Sequence, residues 1–97
     1  LTPTSLFRAA SNPIRSSGTL LSFDLKTQAK VVLEILNASG QLVRTTPLGT
    51  LEPGYHQSSF VPKDRSGRQL ATGIYFLRLT VEGQGSERRV IKLVLTK

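Results

Sequence analysis

The chain has 97 residues, enough for one domain, and it contains no Cys, which excludes disulfide bonds and thiolate metal sites. Its 13 basic and 6 acidic residues give a net charge of +7, which favours solubility or indicates an anionic partner, such as nucleic acid, lipopolysaccharide headgroups or an acidic protein surface. No apolar stretch approaches the roughly 20 residues of a membrane-spanning helix, so no membrane span is predicted.

The N-terminal region is predicted to hold a linker, a short strand and a loop. The chain opens at Leu1 without an initiator Met, so we expect a piece of a longer or processed protein. Residues 1–10 are interpreted as a linker or a first strand, with strand character over residues 6–10, and residues 11–18 as a loop. No N-terminal signal peptide is visible, and any targeting information is expected upstream or inside the domain.

Apolar and polar side chains alternate along six further segments, which is the period of a β-strand with one buried face. These predicted strands cover residues 19–25, 30–36, 41–46, 56–61, 74–81 and 88–95. The side chains that the alternation places inside include Leu21, Phe23, Leu25, Val31, Leu33, Ile35, one of Leu42 and Val43, Phe60, Ile91, Leu93 and Leu95.

The sixth strand in chain order is apolar on both faces. Tyr75 and the alternate residues up to Val81 point inward, whereas Ile74 and Phe76 point outward. Such strands lie in the middle of a sheet or are covered on both sides, so we predict a central strand. Gly73 before it allows a bend, and the buried Tyr75 ring should keep its hydroxyl on a partner such as a backbone carbonyl.

Turn residues separate the predicted strands. Residues 37–40 suit a type I turn with Gly40 in the left-handed region, and Pro53 followed by Gly54 suits a type II turn. Residues 64–67 repeat the order of polar residues followed by Gly. Seven short strands with turns about every 8–12 residues predict an all-β fold, a seven-stranded antiparallel sandwich of two sheets that forms a single domain over the whole chain.

No residue set carries the pattern of a catalytic or cofactor site. His56 is the only His, which without Cys is a poor zinc ligand set, and the carboxylates are widely spread. We find no nucleophile elbow and no phosphate-binding glycine loop, so we expect no enzymatic activity, no metal and no cofactor. Residues 64–67 fit a calcium ligand or a plain turn, and Asn37 begins a glycosylation pattern that its turn also explains.

Basic residues form two clusters that offer positive charge to a partner. Nucleic-acid binding is not favoured, because such surfaces interleave basic residues with exposed aromatic ones, and the core needs most of the aromatic residues here. A carbohydrate platform has little support, because there is no Trp and only Tyr55 is expected to be exposed. The clusters are Lys63, Arg65 and Arg68 in a loop, and Arg88, Arg89, Lys92 and Lys97 in the last strand.

Several segments occur in a familiar order: Asn12-Pro13, residues 31–43, residues 51–56, residues 64–76 and the basic terminal strand. This order resembles the C-terminal sorting domain of type IX secretion cargo in the Bacteroidota, which is related to the immunoglobulin-like module of the flagellar hook-capping protein. The resemblance covers residues 10–97. It is specific because SGQLV, DRSGRQLATGIYF and a terminal strand ending in Lys agree in order.

The resemblance implies an immunoglobulin-like sandwich at the end of a larger secreted enzyme or adhesin. It implies passage through the periplasm, recognition by the outer-membrane secretion machinery, and attachment at the cell surface by a sortase-like enzyme to anionic lipopolysaccharide. On these grounds we expect the secretion machinery to recognise Lys92, Leu93, Val94 and Lys97. The residues of the fold-defining motif are Asn12, Pro13, Gly40, Gly54, Asp64, Gly67, Gly73 and Tyr75.

A second interpretation remains open. The related flagellar and adhesive modules share the middle segments, so only the terminal strand argues for sorting in particular. The alternative is an immunoglobulin-like accessory module of a multidomain extracellular enzyme, which binds glycan or acts as a spacer. The parent chain discriminates between them, because a sorting domain must be C-terminal, whereas a spacer can be internal.

Overall fold

A computed structural model describes residues 6–83 and 85–96 of the chain. The N-terminal linker expected over residues 1–5 and the predicted recognition residue Lys97 therefore lie outside the described residues. No helix occurs in the described part, and hence none that could cross a membrane. The strands are β1 (Phe7–Ala9), β2 (Thr19–Leu25), β3 (Ala29–Asn37), β4 (Leu42–Leu51), β5 (Gly54–Phe60), β6 (Gly73–Glu82) and β7 (Ser86–Leu95).

The strands form two antiparallel sheets, which confirms the predicted seven-stranded sandwich. One sheet has the order β1-β2-β5, and the other has the order β4-β3-β6-β7. The strand β6 lies between β3 and β7, so the stretch that is apolar on both faces is an inner strand, as its pattern predicts. We call the side of the four-stranded sheet that points away from the core its outer face.

The core is one cluster of apolar side chains from the inner faces of both sheets. The alternate positions of β3, from Val31 to Ile35, and those of β6, from Leu77 to Val81, are all buried. Among the described residues, fifteen buried apolar side chains belong to this cluster. Burial of this surface is the main force that holds the two sheets together, because no disulfide is available to a chain without Cys.

Three strand boundaries differ from the sequence prediction by two residues or more, and one of them is the start of β7, at Ser86 instead of Arg88. The strand β4 is longer than expected, since its pairing with β3 continues to Leu51 past a register shift. Pro47 is tolerated inside β4 because the strand lies at a sheet edge. The strand β5 begins at Gly54 instead of His56, because Gly54 already pairs with Leu25.

The choice between Leu42 and Val43 is settled by a second register shift. It falls between Ile35 and Leu36 and brings Leu42 opposite Leu36, on the outer face. Leu42 is accordingly 45% exposed, whereas Val43 packs against the core.

Candidate functional site

The last strand, β7, lies at an edge of the four-stranded sheet, where β6 is its only partner strand among the described residues. The N–H and the C=O of Val94 both bond to the N-terminal loop instead of β6. Because orientation alternates along a strand, Arg88, Val90 and Lys92 also direct their backbone groups towards this edge. Their side chains lie on the outer face.

The N-terminal loop covers the last part of this edge. The Asn12 side chain donates from Nδ2 to the Lys92 carbonyl at 2.7 Å and accepts at Oδ1 from the Val94 N–H at 3.0 Å. Ile14 donates its N–H to the Val94 carbonyl and accepts at its own carbonyl from the Thr96 N–H, each at 2.8 Å. We call residues 12–14, including Pro13, the N-terminal clamp.

The clamp gives the Asn-Pro motif a structural role. Ile14 is only 1% exposed, so its side chain joins the core while its backbone pairs with β7 in parallel. The chain thus leaves β1 in one sheet and reaches the edge of the other. Asn12 and Pro13, placed in the fold-defining motif from sequence, are part of the contact that covers the last part of the edge.

The predicted recognition residues have unlike environments. Lys92 is exposed, Val94 is half-buried with its backbone held by the clamp, and Leu93 is 1% exposed within the core. Leu93 therefore anchors β7 and is not available to a partner of the folded domain. Lys97, the fourth of the set, is not among the described residues.

Two exposed residues outside the predicted recognition set precede Lys92 on the same face, and of these the sequence placed only Arg88 in a basic cluster. Arg88 is exposed, and Val90 is 57% exposed although it is a β-branched apolar residue in a strand. The order Arg88, Val90, Lys92 at alternate positions was the available signal. It could have been found by asking which face of the strand keeps an apolar residue between two cations.

Arg89, assigned from sequence to the basic cluster, points inward instead. It is 8% exposed and bonds to both oxygens of Glu87, at 2.8 and 3.2 Å. Its Nη1 donates to the Leu6 and Asp24 carbonyls at 2.8 and 2.7 Å, and it meets Asp24 Oδ1 at 3.1 Å. Arg89 therefore ties β7 to the opposite sheet and adds no exposed charge.

Tyr75 and Gly73 hold the start of β6. The Tyr75 hydroxyl donates to the Ala71 carbonyl at 2.6 Å, which is the kind of bond the sequence predicts. The ring is half-buried against the core, where the sequence had predicted full burial. Gly73 has a φ of 150°, a backbone conformation that residues with a side chain rarely adopt.

The turns that contain Gly40 and Gly67 have the same backbone conformation at the glycine and the same kind of side-chain hydrogen bonds. Both glycines have a φ of 88°, and each turn opens on a residue whose side-chain oxygen, Oδ1 of Asn37 or Asp64, accepts hydrogen bonds from the turn. Asp64 Oδ1 accepts from the Ser66 hydroxyl at 2.7 Å and from the Ser66 and Arg68 N–H groups at 2.9 and 3.0 Å. These bonds, led by that of the Ser66 hydroxyl, lower the pKa of Asp64 to about 2.

The described residues hold no cluster of side chains suited to metal binding. They include no group of three His, Asp or Glu side chains that could hold a metal ion. His56 bonds to the Glu52 carbonyl at 2.7 Å, and its ring stacks on Phe23 with 5.5 Å between centroids. Asp64 has the role of a turn residue, which is the plainer of the two interpretations of its segment.

The two sheets, with the clamp crossing from one to the other, define an immunoglobulin-like β-sandwich. A family model for the FlgD Ig-like domain matches residues 11–85. The chain belongs to this family, which agrees with the resemblance drawn from its motifs. No curated protein sequence matches the chain significantly.

Three solved structures share the fold. PorU from Porphyromonas gingivalis, in its dimeric latent form, is similar with a TM-score of 0.78 and 19% identity, over 99% of this chain and 10% of that one. FlgD from P. aeruginosa is similar with a TM-score of 0.65 and 21% identity, over 76% of this chain and 59% of that one. PorZ from P. gingivalis, a surface component of the type-IX secretion system, is similar with a TM-score of 0.62 and 17% identity. This similarity covers 94% of this chain and 11% of that one. The chain thus spans about a tenth of PorU and PorZ and less than two thirds of FlgD.

Proposed function

We propose that this domain directs a larger secreted protein across the outer membrane and to the cell surface, and that it has no catalytic role of its own. The observation that carries the proposal is the edge strand β7, which presents Arg88, Val90 and Lys92 on an exposed face. An exposed strand edge is a common way for one protein to bind another through its backbone. The likeness to parts of PorU and PorZ supports a setting in type IX secretion.

The expected partners are the outer-membrane secretion machinery and a sortase-like enzyme that joins the secreted protein to anionic lipopolysaccharide. The net charge of +7 supports contact with such anionic surfaces through steering at long range. Within the predicted recognition set, Lys92 and Lys97 supply charge, whereas Leu93 and Val94 keep the strand in place.

A surface-delivery assay tests the proposal. Residues 1–97 are fused behind a periplasmic reporter in a host that has the secretion system, and surface reporter is measured by protease accessibility. Deleting residues 92–97 would also remove Leu93 and Leu95 from the core. The sharper variant is therefore Lys92→Glu with Lys97→Glu, with Lys63→Glu and Arg65→Glu as a control of equal charge. We expect lost delivery only for the former, and unchanged delivery would contradict the proposal.

One observation favours a second candidate, an accessory glycan-binding module. Tyr55 is 57% exposed on β5, and its hydroxyl donates to Ser22 Oγ at 3.0 Å and accepts from Gln57 Nε2 at 3.2 Å. These bonds hold the ring over the three-stranded sheet, where a sugar could stack on it. Affinity electrophoresis on polysaccharides, with Tyr55→Ala as the matched variant, tests this function, and an unretarded parent protein would remove it.

A further inference from the structure

The edge of β7 is divided into a covered part and an open part. The clamp bonds to the Lys92 carbonyl, to both backbone groups of Val94 and to the Thr96 N–H. By the same alternation, the Lys92 N–H and the backbone groups of Val90 and Arg88 point to the edge, and no backbone partner faces them in the described part of the chain. We call this segment, residues 88–92, the open edge.

The side chains of the open edge form a row of cation, apolar residue and cation. Arg88 and Lys92 are exposed, and neither makes an ion pair within the described residues. Val90 lies between them, 57% exposed. Glu34 pairs with Arg78, the cross-strand neighbour of Val90, at 2.7 Å and also attracts Arg88, so two cations share this acid. Lys92 lies opposite Phe76 and has no acid across from it on β6.

A second copy of this chain is a poor occupant of the open edge. Two β7 strands paired antiparallel about Val90 would place Arg88 of each copy directly opposite Lys92 of the other. Like charges opposite each other destabilise a strand pair, and two domains of charge +7 also repel each other at long range. The charge pattern favours an acidic occupant.

We propose that the open edge is a strand-addition site for an extended acidic segment of a partner protein. The segment would pair its backbone with Arg88, Val90 and Lys92, and would carry acidic, apolar and acidic residues at alternate positions opposite them. The proposed site rests on the proposed function and extends it, since it names the chemistry of the partner that binds β7.

A single proline tests the backbone pairing without breaking the fold. The Val90 N–H points away from β6, and proline is tolerated in an edge strand where its missing N–H faces outward. Val90→Pro should therefore keep a cooperative melting transition while losing the bond that a partner strand needs. Lys63→Glu, in an exposed loop, is the control for a change of charge away from the edge.

The measurement is a nuclear magnetic resonance titration of the 97-residue chain with a synthetic peptide that alternates Glu and Val. We expect the largest amide shifts at Arg88, Val90 and Lys92. Binding should weaken by up to about tenfold in Val90→Pro, the equivalent of a lost backbone hydrogen bond, and remain unchanged in Lys63→Glu. Arg88→Glu with Lys92→Glu should bind a peptide that alternates Lys and Val instead.

Three results would overturn the inference: shifts elsewhere on the domain, unweakened binding by Val90→Pro, or equal binding of a peptide with the same composition but consecutive Glu residues. The surface-delivery assay separates this failure from that of the proposed function. If Val90→Pro is delivered normally but the reversal of Lys92 and Lys97 is not, the strand-addition site is wrong and the sorting role stands. If both are delivered but the proline weakens peptide binding, the sorting role is wrong and the site stands.

Discussion

At the scale of single residues, Tyr75 secures the start of β6 through its ring and its hydroxyl. The bond to the Ala71 carbonyl should contribute about 0.5–1.5 kcal/mol, which Tyr75→Phe removes. Because the ring is half-buried, Tyr75→Ala should cost about 2–3 kcal/mol, less than the roughly 3–5 kcal/mol of a fully buried aromatic residue. Urea unfolding measures both, and a Tyr75→Ala variant as stable as the parent would contradict the packing described here.

Asp64 gives the domain a defined dependence on pH. Its folded pKa of about 2 lies below the ordinary value of 3.8 for an aspartate, so ionisation stabilises the fold. That stabilisation is complete above about pH 4 and is lost as the pH falls towards 2. In Asp64→Asn the side-chain oxygen still accepts the turn's hydrogen bonds, as Asn37 does in the matching turn.

The difference in unfolding free energy between parent and Asp64→Asn should therefore shrink from pH 5 to pH 2. The pKa of Glu34 is also lowered, chiefly by its hydrogen bond from Arg78, but this residue is present in both proteins and its contribution cancels. A difference that stays constant over this range would show that Asp64 is not held as described.

At the scale of elements, the N-terminal clamp is the contact that can be changed without touching the core. Asn12→Ala removes two hydrogen bonds to β7 at an exposed site and should cost about 1–2 kcal/mol. Asn12→Asp keeps the acceptor for the Val94 N–H and loses the donor to the Lys92 carbonyl, so its cost should be intermediate. Chemical denaturation orders the three proteins, and equal stability of all three would contradict the clamp.

Patterns of neighbouring residues predicted most of the strands and turns. The remaining features depend on contacts between residues that are far apart in the sequence. The alternation in β2, β3 and β6 and the turns at Gly40 and Gly67 depend on neighbouring residues, so the sequence shows them directly. The clamp and the inward turn of Arg89 depend on partners more than 60 positions away, such as Asn12 on Val94. For that reason the sequence could not show that one part of the β7 edge is covered and the other part is open.

At the scale of the whole molecule, Arg89 connects the two sheets at the end where β1 begins. Its side chain is 7% exposed and meets Asp24 and Glu87. Arg89→Ala would leave two partly exposed carboxylates without this cation and remove its hydrogen bonds to the Leu6 and Asp24 carbonyls, and should cost about 2–3 kcal/mol. Arg89→Lys should recover part of the loss, because it restores the charge but not the several donors. Thermal unfolding tests the order, and an Arg89→Ala variant with parental stability would rule out this connection.

Amide hydrogen exchange measures whether β7 is covered over one part of its edge and open over the other. We expect slow exchange at Val94 and Thr96, whose N–H groups bond to the clamp. We expect fast exchange at Arg88, Val90 and Lys92, although they belong to the same strand. Protection of Val90 equal to that of Val94 in the chain without a partner would contradict this arrangement.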